Sequence, residues 1–279
     1  MPQKLSFINL KGGVGKTTLA VNIAADLAYY RKLEVLVVDL DPQTNSTVAL
    51  ISPKRYLQLK GEERTLKSMY DAQLDAKKKF DFSDVVIEKA GTVDGLWLLP
   101  SDLELLDIDI PLSRLENRIT VVKDSLEDFF SDFDYVIFDC PPNMGLLTQN
   151  GLFASDYYVV PVQPDFLSTF GLDLVTGRVA KFRERIRKHN PDFNLNYGGL
   201  IFSRVRHTLE HEQKMLELRS KKENHPVFKT EIFERTAISE ASAKSLPICV
   251  SRTGFGWKEV DEMFKQCTLE FLTYFPKEK

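Results

Sequence analysis

Between an apolar run and an alanine-rich stretch the chain reads Lys11-Gly12-Gly13-Val14-Gly15-Lys16-Thr17-Thr18, the segment that most restricts what it can fold into. A glycine-rich turn that closes a strand and opens a helix lets the backbone curl until successive N–H groups converge. The helix N-terminus adds partial positive charge at the same point. Together they make a cradle for phosphate oxygens. In such a cradle Lys16 reaches the outer phosphates of a nucleoside triphosphate, the Thr17 hydroxyl ligates Mg²⁺, and Thr18 helps to hold the α-phosphate. The strict pattern G-x-x-x-x-G-K-[ST] is not met. Leu10 stands where its first glycine belongs, and a second lysine, Lys11, precedes Gly12.

The flanks supply the required context. Residues 4–10 predict a strand, and 17–30 a helix with no breaker. Further strands are predicted at 34–39, 134–139, 157–162 and 198–203, with 96–99 and 227–232 added to them. Helices fall between, at about 113–130, 171–189, 208–222 and 257–274. Strands apolar on both faces, alternating with helices, predict an α/β fold: a mostly parallel sheet with helices on both faces. Its crossovers are right-handed. A chain of 279 residues, 43% apolar and 28% charged, suits a single domain over 1–279. Its least patterned stretch, about 51–92, reads as a helical insertion.

Two strand tips carry acids. Asp139 closes an apolar run just before Pro141 and Pro142, so it projects at the carboxyl edge of the sheet, where open α/β sheets bind ligands. It is expected to serve Mg²⁺ through coordinated water. The segment Asp39-Leu40-Asp41-Pro42-Gln43 ends another strand, and a period of two points both acids the same way. Neighbouring carboxylates are costly unless a cation or a reacting water uses them. Asp39 suits a structural or metal-shell place, and Asp41 the orientation of an attacking water.

Other features exclude or leave open. No apolar run approaches the ~18 residues of a membrane span, and no secretory leader is visible. Cys140, Cys249 and Cys267 have neither disulfide-framework nor zinc spacing, which fits a reducing cytosol. A net charge of −3 means that any nucleic-acid contact needs a local patch. Candidates are Lys181, Arg183, Arg185, Arg187 and Lys188, preceded by Arg178, and a second group of Arg219, Lys221 and Lys222. An ordinary solvated helix face is the alternative. His207 and His211 lack a third ligand and read as exposed helix histidines, while Trp97 and Trp257 read as packing aromatics. In the tail Val260, Met263, Phe264, Cys267, Phe271 and Leu272 form a core stripe with acids mixed into the polar face. That is not the basic face of a membrane-surface helix, so the tail is expected to dock.

Five segments resemble the ParA/Soj/MinD group of deviant Walker A ATPases, most closely its ParA-type partition branch. They are KGGVGKTT (11–18), VDLDPQTNST (38–47), DYVIFDCPPNMGLLTQNGL (134–152), VVPVQPDF (159–166) and ISEASAKSLPI (238–248). Only about 51–92 and 205–225 lack counterparts. The resemblance implies a P-loop NTPase with ATP and Mg²⁺ as cofactors, residues 11–18 on the nucleotide, and Thr17, Asp39 and Asp139 around the metal. It implies that Lys11 reaches across a homodimer to the partner's ATP, joining Lys16 and Asp41 in hydrolysis. It further implies non-specific DNA binding, which tips both basic groups toward phosphate contact, and a ParB-like or cargo-adaptor partner that accelerates a slow ATPase. The location implied is cytoplasmic, on the nucleoid when ATP is bound. No DNA-binding domain is appended at the N-terminus, so operator-specific autoregulation is not expected. A MinD-like membrane-cycling ATPase, a metabolic or redox enzyme and a DNA-binding regulator are the competing classes. Departures are Thr44 in place of a glycine, Phe233-Glu234-Arg235 in place of Pro-Arg-Asn near the base, and Phe170 where many relatives carry Glu.

Overall fold

The apolar runs form seven strands among the described residues (1–166, 168–220 and 226–277) of a computed structural model. They are β1 (Gln3–Phe7), β2 (Val35–Asp39), β3 (Leu96–Leu99), β4 (Tyr135–Asp139), β5 (Tyr157–Val162), β6 (Asn196–Val205) and β7 (Val227–Phe233). One sheet results, ordered β3-β2-β4-β1-β5-β6-β7, and every pair is parallel. Between β1 and β3 lie α1 (Lys16–Arg31), α2 (Asn45–Leu50), α3 (Pro53–Gly61), α4 (Leu66–Leu74) and α5 (Phe82–Val85). Then come α6 (Asp109–Leu112), α7 (Val121–Phe130), α8 (Leu146–Ala154), α9 (Ser168–Arg187) and α10 (Leu209–Ser220). After β7 follow α11 (Thr236–Ala243), α12 (Ile248–Ser251) and α13 (Trp257–Tyr274).

Strand alternation divides the core into two layers. Leu36 and Val38 of β2 face a cluster built with α4, α7, α8 and α9. Val35 and Val37 face the opposite cluster, built with α1, α11 and α13. Residues 51–92 feed both layers, Tyr56 and Leu59 on one side and Leu66, Met69 and Tyr70 on the other. The tail docks. Val260, Phe264, Cys267 and Phe271 of α13 are fully buried, and the Tyr135 hydroxyl donates to the Phe275 carbonyl at 2.6 Å.

Long-range contacts override local pattern in three places. β1 ends at Phe7 rather than near residue 10. Past it the Asn9 amide donates to the Pro161 carbonyl at 2.7 Å, and its oxygen accepts the Lys11 N–H at 2.9 Å. The helix expected over 113–130 starts only at Val121. Asn150 of α8 holds the preceding turn, donating to the Arg118 carbonyl at 2.8 Å and accepting the Val122 N–H at 3.1 Å. The two histidines do not share an exposed helix face, because α10 begins at Leu209. His207 stacks on Phe233 at 4.6 Å, while His211 is buried and its Nδ1 accepts the Arg206 N–H at 3.1 Å.

Candidate nucleotide-binding site

Register places the chemistry. In the β1–β4 and β2–β4 ladders Asp139 is paired with Phe7 and with Asp39, so both acids flank the point where β1 runs into the glycine loop. Gly13 and Gly15 adopt φ of 74° and 87°, a left-handed turn that a side chain would strain. The loop is gripped from behind by the end of β6. Ser203 Oγ donates to the Val14 carbonyl, and Arg204 Nη1 donates to the Gly13 carbonyl at 2.8 Å. Lys16, which opens α1, is buried, with Nζ 3.5 Å from the Lys11 carbonyl. Lys11 instead extends outward, and its half-exposed ammonium pairs with Asp165.

Asp139 is completely buried. Its Oδ2 accepts from the hydroxyls of Thr17 and Ser46, both at 2.7 Å, whereas Oδ1 has no hydrogen-bond partner among the described residues. Burial pushes this carboxyl up to about 6, opposed by the two hydroxyls and by the Lys16 charge. An orphaned buried oxygen beside a threonine hydroxyl and a lysine is a fitting place for a divalent cation. Among the described residues no group of three or more His, Cys, Asp or Glu side chains is placed to hold a metal ion. Mg²⁺ is commonly held by one or two protein oxygens with phosphate and water supplying the rest, and one carboxylate beside a hydroxyl fits that habit.

The other two acids are held differently. β2 ends at Asp39, as expected, and Asp41 opens the turn that follows, while Leu40 continues the core face of Leu36 and Val38. Asp39 is fully buried and committed to the protein. Its Oδ2 accepts the Thr47 N–H at 2.8 Å and hydroxyl at 2.7 Å, and Oδ1 accepts the Asp41 N–H at 3.2 Å. Burial and the charge of Asp139 drive its pKa well above the usual carboxylate range. Asp41 accepts the Gln43 N–H at 3.0 Å and lines the cleft. Close by, Thr44 sits at φ 58°, a left-handed conformation costly for a β-branched residue and located where the resemblance has glycine. Its N–H donates to the Asp41 carbonyl at 2.8 Å, so the strain is stored in the turn that positions this acid.

The cleft has a volume of about 770 Å³. One wall is the glycine loop with Asp41 and Pro142; the other comprises Ser203 and Arg204 with residues from 232 to 242. Ser46, Thr47 and Asp165 lie inside segments that carry the resemblance but were assigned no role, and Ser203 and Arg204 lie outside every such segment.

The basic runs are partly spent on the fold. Arg183 and Arg187 donate to the carbonyls of Leu195 (3.0 Å) and Phe193 (2.9 Å), and Arg185 donates to Gln149 at 2.7 Å. Arg219 ties the carbonyls of Phe228 and Lys229, both at 3.1 Å, to its ion pair with Glu231. Arg178 and Lys181 are exposed on α9, and Lys188 is exposed just past its end. Lys221 and Lys222 lie outside the described residues.

A phosphate cradle at the centre of a parallel sheet, with an acid on the adjoining strand tip, defines a P-loop nucleoside-triphosphate-binding protein. The family model described as an AAA domain (AAA_31) matches residues 2–194, and the sporulation initiation inhibitor protein Soj of Bacillus subtilis (strain 168) is 34% identical over 249 residues, 89% of this chain and 90% of that protein. The chain belongs to the ParA/Soj/MinD family of deviant Walker A ATPases, on its ParA-type branch. Among solved structures it resembles a plasmid partition protein from Borrelia burgdorferi, with a TM-score of 0.72 at 22% identity over 98% of this chain and 99% of that one. It equally resembles cobyrinic acid a,c-diamide synthase from Mycobacterium smegmatis with bound ATP analog and magnesium, with a TM-score of 0.76 at 24% identity over 100% and 97%. These two likenesses speak for the fold alone. Among the described residues no helix is long and apolar enough to cross a membrane.

Proposed function

We propose that this chain is a ParA-type positioning ATPase that closes into a homodimer around ATP and Mg²⁺. In that state it binds DNA without sequence preference, and a ParB-like or cargo-adaptor partner releases it by stimulating hydrolysis. The observation that carries the reading is the division of labour between two lysines. Lys16 is buried inside its own loop, while Lys11 is half exposed and paired with Asp165. A lysine held that way can exchange Asp165 for phosphates presented by a second copy.

Within the cleft, Lys16 and the backbone N–H groups of residues 12–18 neutralise and orient the triphosphate. Thr17 and Asp139 would hold Mg²⁺, which would supply screening of the triphosphate's negative charge. Asp41 orients the attacking water. We assign Asp39 a scaffold role, because its oxygens already anchor Thr47 and Asp41. Hydrolysis by the isolated chain is slow, and the protein works as a timer whose populations follow the γ-phosphate. Arg178, Lys181 and Lys188 form the DNA face, while Arg183, Arg185, Arg187 and Arg219 are engaged in holding the fold. The protein is cytoplasmic and joins the nucleoid when ATP-bound.

The test is DNA binding with ATP, with ADP and without nucleotide, across a salt series. ATP alone is expected to support binding, with log K falling linearly in log salt. Lys11→Ala with ATP should resemble the nucleotide-free protein, and Lys181→Glu with Lys188→Glu should flatten the salt slope. Equal DNA affinity in all three nucleotide states would overturn the switch. Sedimentation with anionic liposomes in ATP would favour a membrane-cycling role instead; the buried stripe of α13 weighs against that outcome.

A further inference from the structure

Residues 102–113 carry two apolar faces, and the core takes up one of them. A 3₁₀ turn over Leu103–Asp107 runs through Ile108 into α6 as one helical path. Leu105, Ile108 and Leu112 point inward, buried in the core layer that holds α4, α7 and α8. Leu103, Leu106 and Ile110 recur at intervals of three and four on the opposite side, exposed to 43%, 58% and 71%. Single exposed apolar side chains are ordinary, but a row of them along a helical face suits the apolar side of another helix. Acids border the row. Asp102, Glu104, Asp107 and Asp109 fall within this stretch, and no Lys or Arg does. Glu104 is shared with Lys60 and Lys67 at 3.3 and 3.6 Å, whereas Asp107 and Asp109 are exposed. Such a border repels nucleic acid and anionic membrane and favours a partner that brings positive charge.

The same segment is joined to the nucleotide cleft. Asp109 Oδ1 accepts the Leu146 N–H at 3.1 Å and so holds the first turn of α8. Gly145 lies so close that a side chain there would come within 2.7 Å of Asp109 Oδ2 and 2.9 Å of Asn143 Oδ1. The Gly145 N–H donates to that Asn143 oxygen at 2.7 Å, and the Asn143 N–H to the Pro141 carbonyl at 2.9 Å. These bonds make residues 140–146 a short, braced link between Asp139 at the tip of β4 and α6. Pro142, inside the link, lines the cleft. A shift of α6 is therefore carried toward the cleft through the Asp109 carboxylate.

We infer that the row of Leu103, Leu106 and Ile110 receives an amphipathic helix with a basic polar face from the adaptor partner, and that Asp109 passes its occupancy to the cleft. The inference rests on the partner-stimulated reading above and gives that partner a surface and a chemistry. Asp109 is a positioning residue, acting through the link between Asp139 and α8.

The probe is a synthetic helical peptide with leucines on one face and lysines elsewhere; a counterpart with glutamates for lysines is the control. Fluorescence anisotropy with the full chain, with and without Mg²⁺ and ATP, reads both halves of the inference. The lysine peptide is expected to bind and the glutamate peptide to fail. Leu106→Ser with Ile110→Ser should weaken the lysine peptide at least about tenfold, the scale of losing interface anchors. ATP should change peptide affinity by about fivefold or more, and the peptide should change ATP affinity by the same factor. Asp109→Ala should abolish that coupling while the peptide still binds. Gly145→Ala, which forces the carboxylate away, should act alike, and Asp109→Asn, which keeps an acceptor for the Leu146 N–H, should preserve the coupling. Equal peptide affinity in wild type and the double variant, or no binding by wild type, overturns the surface. Should the double variant fail to fold, Asp107→Lys decides, and undiminished binding of the lysine peptide overturns the surface. Self-association of wild type that the double variant lacks makes the occupant a second copy and overturns the adaptor. Identical peptide affinity with and without ATP, or coupling that survives in both Asp109→Ala and Gly145→Ala, overturns the link. Failure of wild type to bind ATP overturns the ATPase reading itself, while the nucleotide-free peptide comparison still judges the surface.

Discussion

Replacing Asp26 by Asn should stabilise the protein by about 3 kcal/mol at pH 8, with little change at pH 4. Asp26 sits within the helix that follows the glycine loop and is 2% exposed. The groups around it are Asp261, Lys265 and Thr268 on α13, Arg31 on α1 and Cys249 on α12. Among the described residues, one hydrogen bond reaches the carboxyl, a long 3.4 Å contact from the Thr268 hydroxyl. Burial, with repulsion from Asp261 added, pushes its pKa from the ordinary 3.8 up to about 8, against the smaller pull of Lys265. A carboxyl whose pKa is higher in the folded state favours folding fully below the unfolded value. That contribution is lost as pH rises toward the folded value. The gap between 3.8 and 8 sets a ceiling of roughly 6 kcal/mol at about 1.4 kcal/mol per pH unit. Relaxation and water entry halve it to about 3 kcal/mol, equivalent to roughly 5–10 °C in melting temperature. Denaturant unfolding of both proteins at pH 4, 6 and 8 would measure the effect. Parallel pH profiles for wild type and variant would show that Asp26 is not the group responsible.

The second large effect concerns Asp139→Asn. We expect Mg²⁺-dependent ATP hydrolysis to fall by about 10²–10³-fold, the usual scale for losing one element of transition-state charge stabilisation. The change is nearly isosteric. The amide oxygen can still accept from Thr17 and Ser46, so the nucleotide-free fold should be at least as stable as wild type. What disappears is the negative charge that the orphaned Oδ1 shares, and with it the attraction for the cation. Thermal melts with and without Mg²⁺ and ATP separate the two consequences. Wild type should gain stability from Mg²⁺ beyond that given by ATP alone, and the variant should gain little. Hydrolysis within a few fold of wild type at ordinary Mg²⁺ would remove Asp139 from the metal site.

The parallel sheet was legible because the buried strands carry apolar residues on both faces, as in Val35–Asp39 and Tyr135–Asp139. That Lys16, Thr17 and Asp139 come together was legible, because a glycine turn between strand and helix beside an acid-tipped strand has few local solutions. Contacts spanning more than a hundred residues left no such trace. Arg204 grips Gly13 from 191 positions away, and Lys11 meets Asp165 across 154. Asp39 and Asp41 were legible as acids at the tip of β2; their spacing does not carry that Asp39 is taken up by Thr47 and the Asp41 N–H. The arginines of α9 are a different case. Basicity is visible in a sequence, but whether a guanidinium faces solvent or the carbonyls of Phe193 and Leu195 is decided by a loop that arrives later in the chain.

The grip of Ser203 and Arg204 on the carbonyls of Val14 and Gly13 has a kinetic meaning. A loop already held in its curled form does not have to order itself around each arriving triphosphate, so capture is limited by encounter and orientation. Residence time then governs exchange, and between rounds of hydrolysis the occupancy of the cleft tracks the ambient ratio of ATP to ADP. Such a protein would reload at a pace set by product departure, which makes the interval after hydrolysis the adjustable delay in its cycle.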